Sequence, residues 1–120
     1  YTGVAAIFIS QLLNGEAPVI FGDGTQTRDF THVSDIVQAI GLALQADCPS
    51  DAYNVGTGVQ TSILELAHLL ARELSFTGPI GPSGQVRAGD IIHCAGDITR
   101  ISQVLGYRPR VVLAEGVGDL

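Results

Sequence analysis

Apolar residues recur along most of the chain at helical spacing, broken by short extended runs and glycine turns. Val4, Ile7, Phe8, Leu12 and Leu13 fall on a 3.6-residue period and Asn14-Gly15 supplies a stop, so the chain opens on a helix. Pro18-Val-Ile-Phe21, then Gly22-Asp-Gly24, then the run from Thr27 to Val33 reads as two strands joined by a glycine turn. Ser34 or Asp35 can cap a second helix carrying Ile36, Val37, Ile40, Leu42 and Leu44, which Cys48-Pro49-Ser50-Asp51 breaks. Ala52-Tyr-Asn-Val55 reads as a short buried strand ending in Gly56-Thr-Gly58. Thr61 or Ser62 can cap a third helix, with Glu65 placed for a capping box and Leu64, Leu66, Ala67, Leu70 and Leu74 on its apolar face. Thr77 to Gly89, with four glycines and two prolines, is a loop. Ile91 to Cys94 follows as a strand. Asp97 or Thr99 caps a last full helix through Ile101, Val104 and Leu105, with Gly106 at its C-cap. Leu113 to Leu120 reads as the first turns of another.

Alternating strands and helices indicate an α/β unit, or α+β for the piece taken alone, with no internal domain boundary from residue 1 to 120. Only 15% of residues are charged against 46% hydrophobic, so a packed core is expected. The net charge of −6 argues against a nucleic-acid partner, which needs a basic footprint. No apolar run approaches the ~20 residues of a spanning helix, so no membrane partner is expected. Cys48 and Cys94 fit no ligand spacing, so no metal is expected; the default reading is a pair of reduced thiols in a cytoplasmic protein, with a disulfide as the minority option. The chain begins at Tyr1 without methionine, and its last residues read as a helix cut short. Both ends are therefore expected to be truncated.

The residues offer little catalytic chemistry. All six basic residues are arginines, so no mechanism needing a lysine is available to this polypeptide. His32, His68 and His93 have no ligand spacing, and Ser62 has no neighbouring base. Neither Gly22-Asp-Gly24 nor Gly56-Thr-Gly58 has the third glycine of a dinucleotide fingerprint. Arg28 and Phe30 share one face of a strand and Asp29 points to the other. A guanidinium beside an aromatic ring suits a phosphate next to a base or sugar, and equally a surface pair with a carboxylate. Arg87-Ala-Gly-Asp90 ends the long loop: the arginine can hold a pyrophosphate and the aspartate two sugar hydroxyls, or the two can pair with each other.

The segment Phe21-Gly-Asp-Gly-Thr-Gln-Thr-Arg-Asp-Phe-Thr-His-Val-Ser-Asp35 resembles the G-D-G-x-Q-x-R-D-F-x-H-V-x-D stretch of extended short-chain dehydrogenase/reductases, UDP-glucose 4-epimerases and nucleotide-sugar dehydratases in particular. Further resemblances fall in family order. Tyr1-Thr-Gly-Val-Ala is similar to the stretch after the family's N-P. Tyr53-Asn-Val-Gly-Thr-Gly58 resembles Y-N-I-G-T-G, and Arg87-Ala-Gly-Asp90 resembles R-P-G-D with alanine in place of proline. Asp97-Ile-Thr-Arg100 and Leu105-Gly-Tyr-Arg-Pro109 resemble the D-x-S-K and L-G-Y-x-P of the last helix.

The resemblance implies the C-terminal, substrate-binding subdomain of an NAD-dependent UDP-sugar 4-epimerase of the UDP-glucose or UDP-GlcNAc type, without its Rossmann half. A nucleotide-sugar 4,6-dehydratase piece and a non-catalytic UDP-binding or structural module are the other readings. It implies that Arg28 and Arg87 grip the substrate diphosphate, that Asp90 accepts the ribose hydroxyls, and that Phe21 and the backbone around Val19 border the base. It places the Tyr-x-x-x-Lys pair and the NAD site in the N-terminal Rossmann half, leaving this piece with no catalytic residue and no bound cofactor. The partners it implies are a UDP-sugar, the missing half, and a second copy through uncovered apolar faces.

Overall fold

The structure, a computed structural model, describes residues 3–48 and 50–120. Tyr1, Thr2 and Pro49, which carry part of one resemblance and of one predicted helix break, lie outside the described residues. In chain order the elements are α1 (Val4–Leu13), β1 (Thr27–Arg28), α2 (Val33–Gln45), β2 (Thr61–Ser62), α3 (Ile63–Glu73), α4 (Thr99–Leu105) and α5 (Leu113–Gly116), closed by a 3-10 turn at Val117–Asp119. The two short strands pair in a two-stranded sheet. No helix among the described residues is long and apolar enough to cross a membrane. The chain folds as two compact units, Tyr1–Thr27 with Thr61–His93, and Arg28–Gln60 with Cys94–Leu120.

In the first unit α1 packs on α3. Phe8 and Leu12 of α1, Ile20, and Ile63, Leu66, Ala67, Leu70 and Ala71 of α3 are buried. The α3 stripe repeats at three- and four-residue intervals, as an amphipathic helix laid on a core must. Ser62 is its N-cap, accepting from the Glu65 N–H at 3.1 Å. Ser75, at φ 54°, ends it in the left-handed conformation. The Phe76 N–H then reaches back to the Ala71 carbonyl at 2.8 Å.

The predicted hairpin is corrected. Ile20 bridges in parallel to Pro82 and Thr27 in parallel to His93, so both arms turn to the glycine-proline loop and its sequel. Gly22 and Gly24 do make the turn, both at positive φ. A Cβ on Gly24 would lie 3.0 Å from both Ile20 Cγ2 and Leu64 Cβ.

In the second unit α2 packs on α4 around Ala39, Ile101, Leu105 and Tyr107, with Leu42, Tyr53, Val55 and Ile98 alongside. Tyr107 is fully buried and its hydroxyl donates to the Gly56 carbonyl at 2.8 Å. The inward stripe of α2 differs from the predicted one. Asp35 and Ala39 are its buried residues, whereas Val33, Val37, Ile40 and Leu44 line the exposed side. Asp35 is tolerated at 1% exposure because its carboxylate accepts the N–H groups of Arg110 at 3.0 Å and Val111 at 3.2 Å. Gln38 accepts from the Arg108 N–H at 3.2 Å and donates to its carbonyl at 3.0 Å. The cap of α2 is His32, not Ser34 or Asp35: its Nδ1 accepts from the Ser34 N–H at 3.3 Å.

Ala52–Val55 is not a strand among the described residues, and of Ile91–Cys94 only His93 forms a bridge. A strand needs a neighbouring edge, and Ala52–Val55 meets none among the described residues. The N-cap position of α4 is Ile98, flanked by both predicted candidates, and the Asp97 carboxylate still accepts from the Thr99 N–H at 2.9 Å. Gly106 is its left-handed C-cap, as predicted.

Asp35→Ala leaves two inward-facing N–H groups without their acceptor and should cost about 3 kcal/mol, read as a lower urea midpoint. Val37→Ala, on the exposed stripe, should change stability by less than about 0.5 kcal/mol. Equal losses would contradict this assignment of faces.

Candidate functional site

The long loop is fixed to the Ile20–Thr27 segment within the first unit. Ser83 donates to the Ile20 carbonyl twice, from its N–H at 2.9 Å and its hydroxyl at 2.8 Å. The Gly22 N–H donates to the Gln85 carbonyl at 2.9 Å and the Thr27 N–H to that of Ile92 at 2.8 Å. Gln26 donates from Nε2 to the Phe21 carbonyl at 2.9 Å, with Asp90 Oδ2 at 3.5 Å. Between these segments opens a concavity of about 230 Å³, lined by Phe21, Asp23, Gln26, Arg87, Asp90 and Ile92 among others. An aromatic ring, a guanidinium and a carboxylate thus face one space, a set suited to a base, a phosphate and a diol. Asp23 is held below the usual carboxylate range by the Thr25 hydroxyl and then the Thr25 N–H.

Three of the five residues predicted to hold substrate, Phe21, Arg87 and Asp90, therefore come together. Val19 and Arg28 are not among the lining residues. The Val19 N–H donates instead to Gln11 Oε1 of α1 at 3.1 Å. Gln26 joins the lining without having been singled out in the sequence.

In the second unit the chain beyond Arg28 is organised around the Asp29 carboxylate. It accepts from the Thr57 N–H with both oxygens at 3.0 Å, and from the Thr57 hydroxyl at 2.5 Å. It also accepts from the N–H groups of Gly58 at 2.9 Å and Gly96 at 3.3 Å. Glycine makes room for it, since a Cβ on Gly56 would lie 2.5 Å from Asp29 Oδ2. Successive N–H groups converging on an anion form a nest of the kind that binds phosphate, but here the anion is internal. The Gly56-Thr-Gly58 turn consequently does not offer those N–H groups to a dinucleotide, and the residues present do not fit an NAD pyrophosphate there. Partial burial pushes the Asp29 carboxyl upward, but the Thr57 hydroxyl and the three N–H donors outweigh it and hold it below the usual range.

The second unit also has a larger concavity of about 430 Å³, lined by Ala52, Asn54, Asp97, Thr99, Arg100 and Gln103. Its one guanidinium, Arg100, is paired with Asp51 at 3.0 Å, and it holds none of the predicted residues. Among the described residues no group of three or more His, Cys, Asp or Glu is placed to hold a metal, and both cysteines are unbridged.

The family model described as GDP-mannose 4,6 dehydratase matches residues 2–120. The chain belongs to that family. It is accordingly an extended short-chain dehydrogenase/reductase of the nucleotide-sugar epimerase/dehydratase kind. It is 41% identical over 120 residues to a UDP-glucose 4-epimerase of Mycolicibacterium smegmatis, covering 96% of this chain and 36% of that protein. The solved UDP-glucose 4-epimerase of Thermotoga maritima with UDP-glucose superposes with a TM-score of 0.88 at 35% identity, over 98% of this chain and 37% of that one. A UDP-N-acetylglucosamine 4-epimerase from Methanobrevibacter ruminantium, in complex with UDP-N-acetylmuramic acid, gives 0.87 at 32% identity, over 99% and 38%. The chain thus spans little more than a third of the length of these relatives.

Because the folded Asp29 carboxyl lies below its unfolded value of about 3.9, its stabilisation is complete above that pH and is lost as the pH falls through the folded value. Urea midpoints measured from about pH 5 to pH 2 should fall more steeply for the wild type than for Asp29→Asn. Parallel curves would contradict the seat. Asp23 and Asp97, also held low, titrate in both proteins and cancel in the comparison.

Proposed function

We propose that this chain is the nucleotide-sugar-gripping part of an NAD-dependent UDP-sugar 4-epimerase, acting on UDP-glucose or UDP-N-acetylglucosamine. The observation that carries the reading is the convergence of Phe21, Arg87 and Asp90 on one concavity. In it, Arg87 takes the pyrophosphate in a charge-assisted pair, Asp90 accepts from the two ribose hydroxyls, and Phe21 borders the uracil, with the backbone around Val19, outside the lining, next along the chain. Arg28 supplies a second guanidinium to the diphosphate. The Thermotoga relative, solved with UDP-glucose, supports the ligand class.

The chain has no lysine, so a Tyr-x-x-x-Lys pair cannot come from it. In the parent enzyme the proton-transferring residues and NAD, which supplies the hydride chemistry, belong to a Rossmann half. The role of this chain is to bind and orient the nucleotide, and alone it is inactive and binds no cofactor. The description of the matching family favours a second reading of the parent as a nucleotide-sugar 4,6-dehydratase. The grip on the nucleotide is common to both.

The exposed stripe Val33, Val37, Ile40 and Leu44 repeats at four-, three- and four-residue spacing along α2, and we propose it as the face through which isolated copies associate.

Calorimetric titration with UDP should give binding that weakens about tenfold or more in Arg28→Ala and in Arg87→Ala, since each charge-assisted contact contributes about 1.5–3 kcal/mol. No heat with the wild type at millimolar UDP would reject the reading. Sedimentation should show concentration-dependent association that Ile40→Glu abolishes, and a strictly monomeric wild type would reject the α2 face.

A further inference from the structure

Strand pairing ends at Arg28, the last residue of β1, so the sheet does not fix the backbone on its far side. What holds that side is the neighbouring residue. The Asp29 carboxylate accepts from four donors in two separate loops, at Thr57, Gly58 and Gly96, and at 3.5 Å from the Thr31 hydroxyl. Gly56 has no side chain where one would collide with that carboxylate, and Gly58, whose N–H donates to it, continues the chain at a left-handed φ of 73° that glycine adopts without strain. The Thr57 hydroxyl, itself fixed by accepting from the Val59 N–H at 3.0 Å, makes the shortest contact. Side chains alternate along extended backbone, so anchoring residue 29 to one side sets the direction in which residue 28 leaves the other. A long arginine loses much rotamer freedom when it binds, and a fixed root reduces what remains to be lost.

We propose that Asp29 is a positioning residue for Arg28: seated in the Gly56–Gly58 and Gly96 loops, it fixes the peptide from which Arg28 reaches the substrate diphosphate. The proposal rests on the reading of Arg28 as a diphosphate ligand. It assigns to the Gly-Thr-Gly turn a part in substrate binding through an internal anion rather than through contact with the nucleotide.

The test uses the 120-residue chain with Thr57→Val, which removes the hydroxyl's contacts to Asp29 and to the Val59 N–H but keeps the backbone donors, and Asp29→Asn, which removes the charge. UDP affinity should fall about threefold in the first and about tenfold in the second, and both effects should vanish in an Arg28→Ala background. A scaffold role alone would give losses of equal size with and without Arg28, and that result overturns the proposal. The NMR order parameter of the Arg28 Nε–H, measured without nucleotide, should fall in Thr57→Val even if Asp29→Asn does not fold. An unchanged order parameter overturns the proposal as well. A wild type that binds no UDP would reject the nucleotide reading itself, and the order parameter would still decide whether Asp29 positions Arg28.

Discussion

Backbone N–H groups that find no neighbouring strand must be satisfied by something else, and here carboxylates and amides do it. Asp29 takes the N–H groups of Thr57, Gly58 and Gly96. Asp35 takes those of Arg110 and Val111, Gln38 that of Arg108, and Gln11 that of Val19. Gln11, Asp35 and Gln38 tie irregular segments to the helices that supply the acceptors, and Asp29 ties two loops to the residue that follows β1. With only two-residue strands among the described residues, these side chains do what sheet ladders do elsewhere. The cost of losing one is highest at Asp35, which is itself buried and whose donors at Arg110 and Val111 are partly buried.

The same principle shapes the candidate site. The loop carrying Arg87 and Asp90 holds four glycines and two prolines from Thr77 to Gly89, and left to itself would sample many conformations. Ser83, Gln85 and Ile92 bind it instead to the Ile20–Thr27 segment. That places a guanidinium and a carboxylate in the lining of the same concavity as Phe21. A concavity prepared in this way loses less entropy on binding than a free loop would.

Much of this was legible in the sequence, for local reasons. The periods of α1 and α3, the Ser62 cap and the Gly106 stop all depend on residues within one helical turn. Phe21, Arg87 and Asp90 were found through motif resemblance, and the fold brings them together. What local patterns could not show were acceptors whose donors lie far away in the chain. Asp29 reaches residues 28 and 67 positions on, and Asp35 reaches residues 75 and 76 positions on. For that reason the apolar residues of α2 do not by themselves tell its inward face: Asp35 and Ala39 are buried and Leu42 packs alongside, while Val37, Ile40 and Leu44 are exposed. The strands failed for a related reason: β-branched residues mark extended backbone, but pairing depends on an edge that the sequence pattern does not locate.

Backbone amide NMR during a UDP titration tests most directly whether the nucleotide sits in the first-unit concavity. Saturable shifts should concentrate at Phe21, Gln26, Arg87 and Asp90. Shifts confined to Asn54, Arg100 and Gln103 around the larger concavity, or no saturable shift at all, would contradict it.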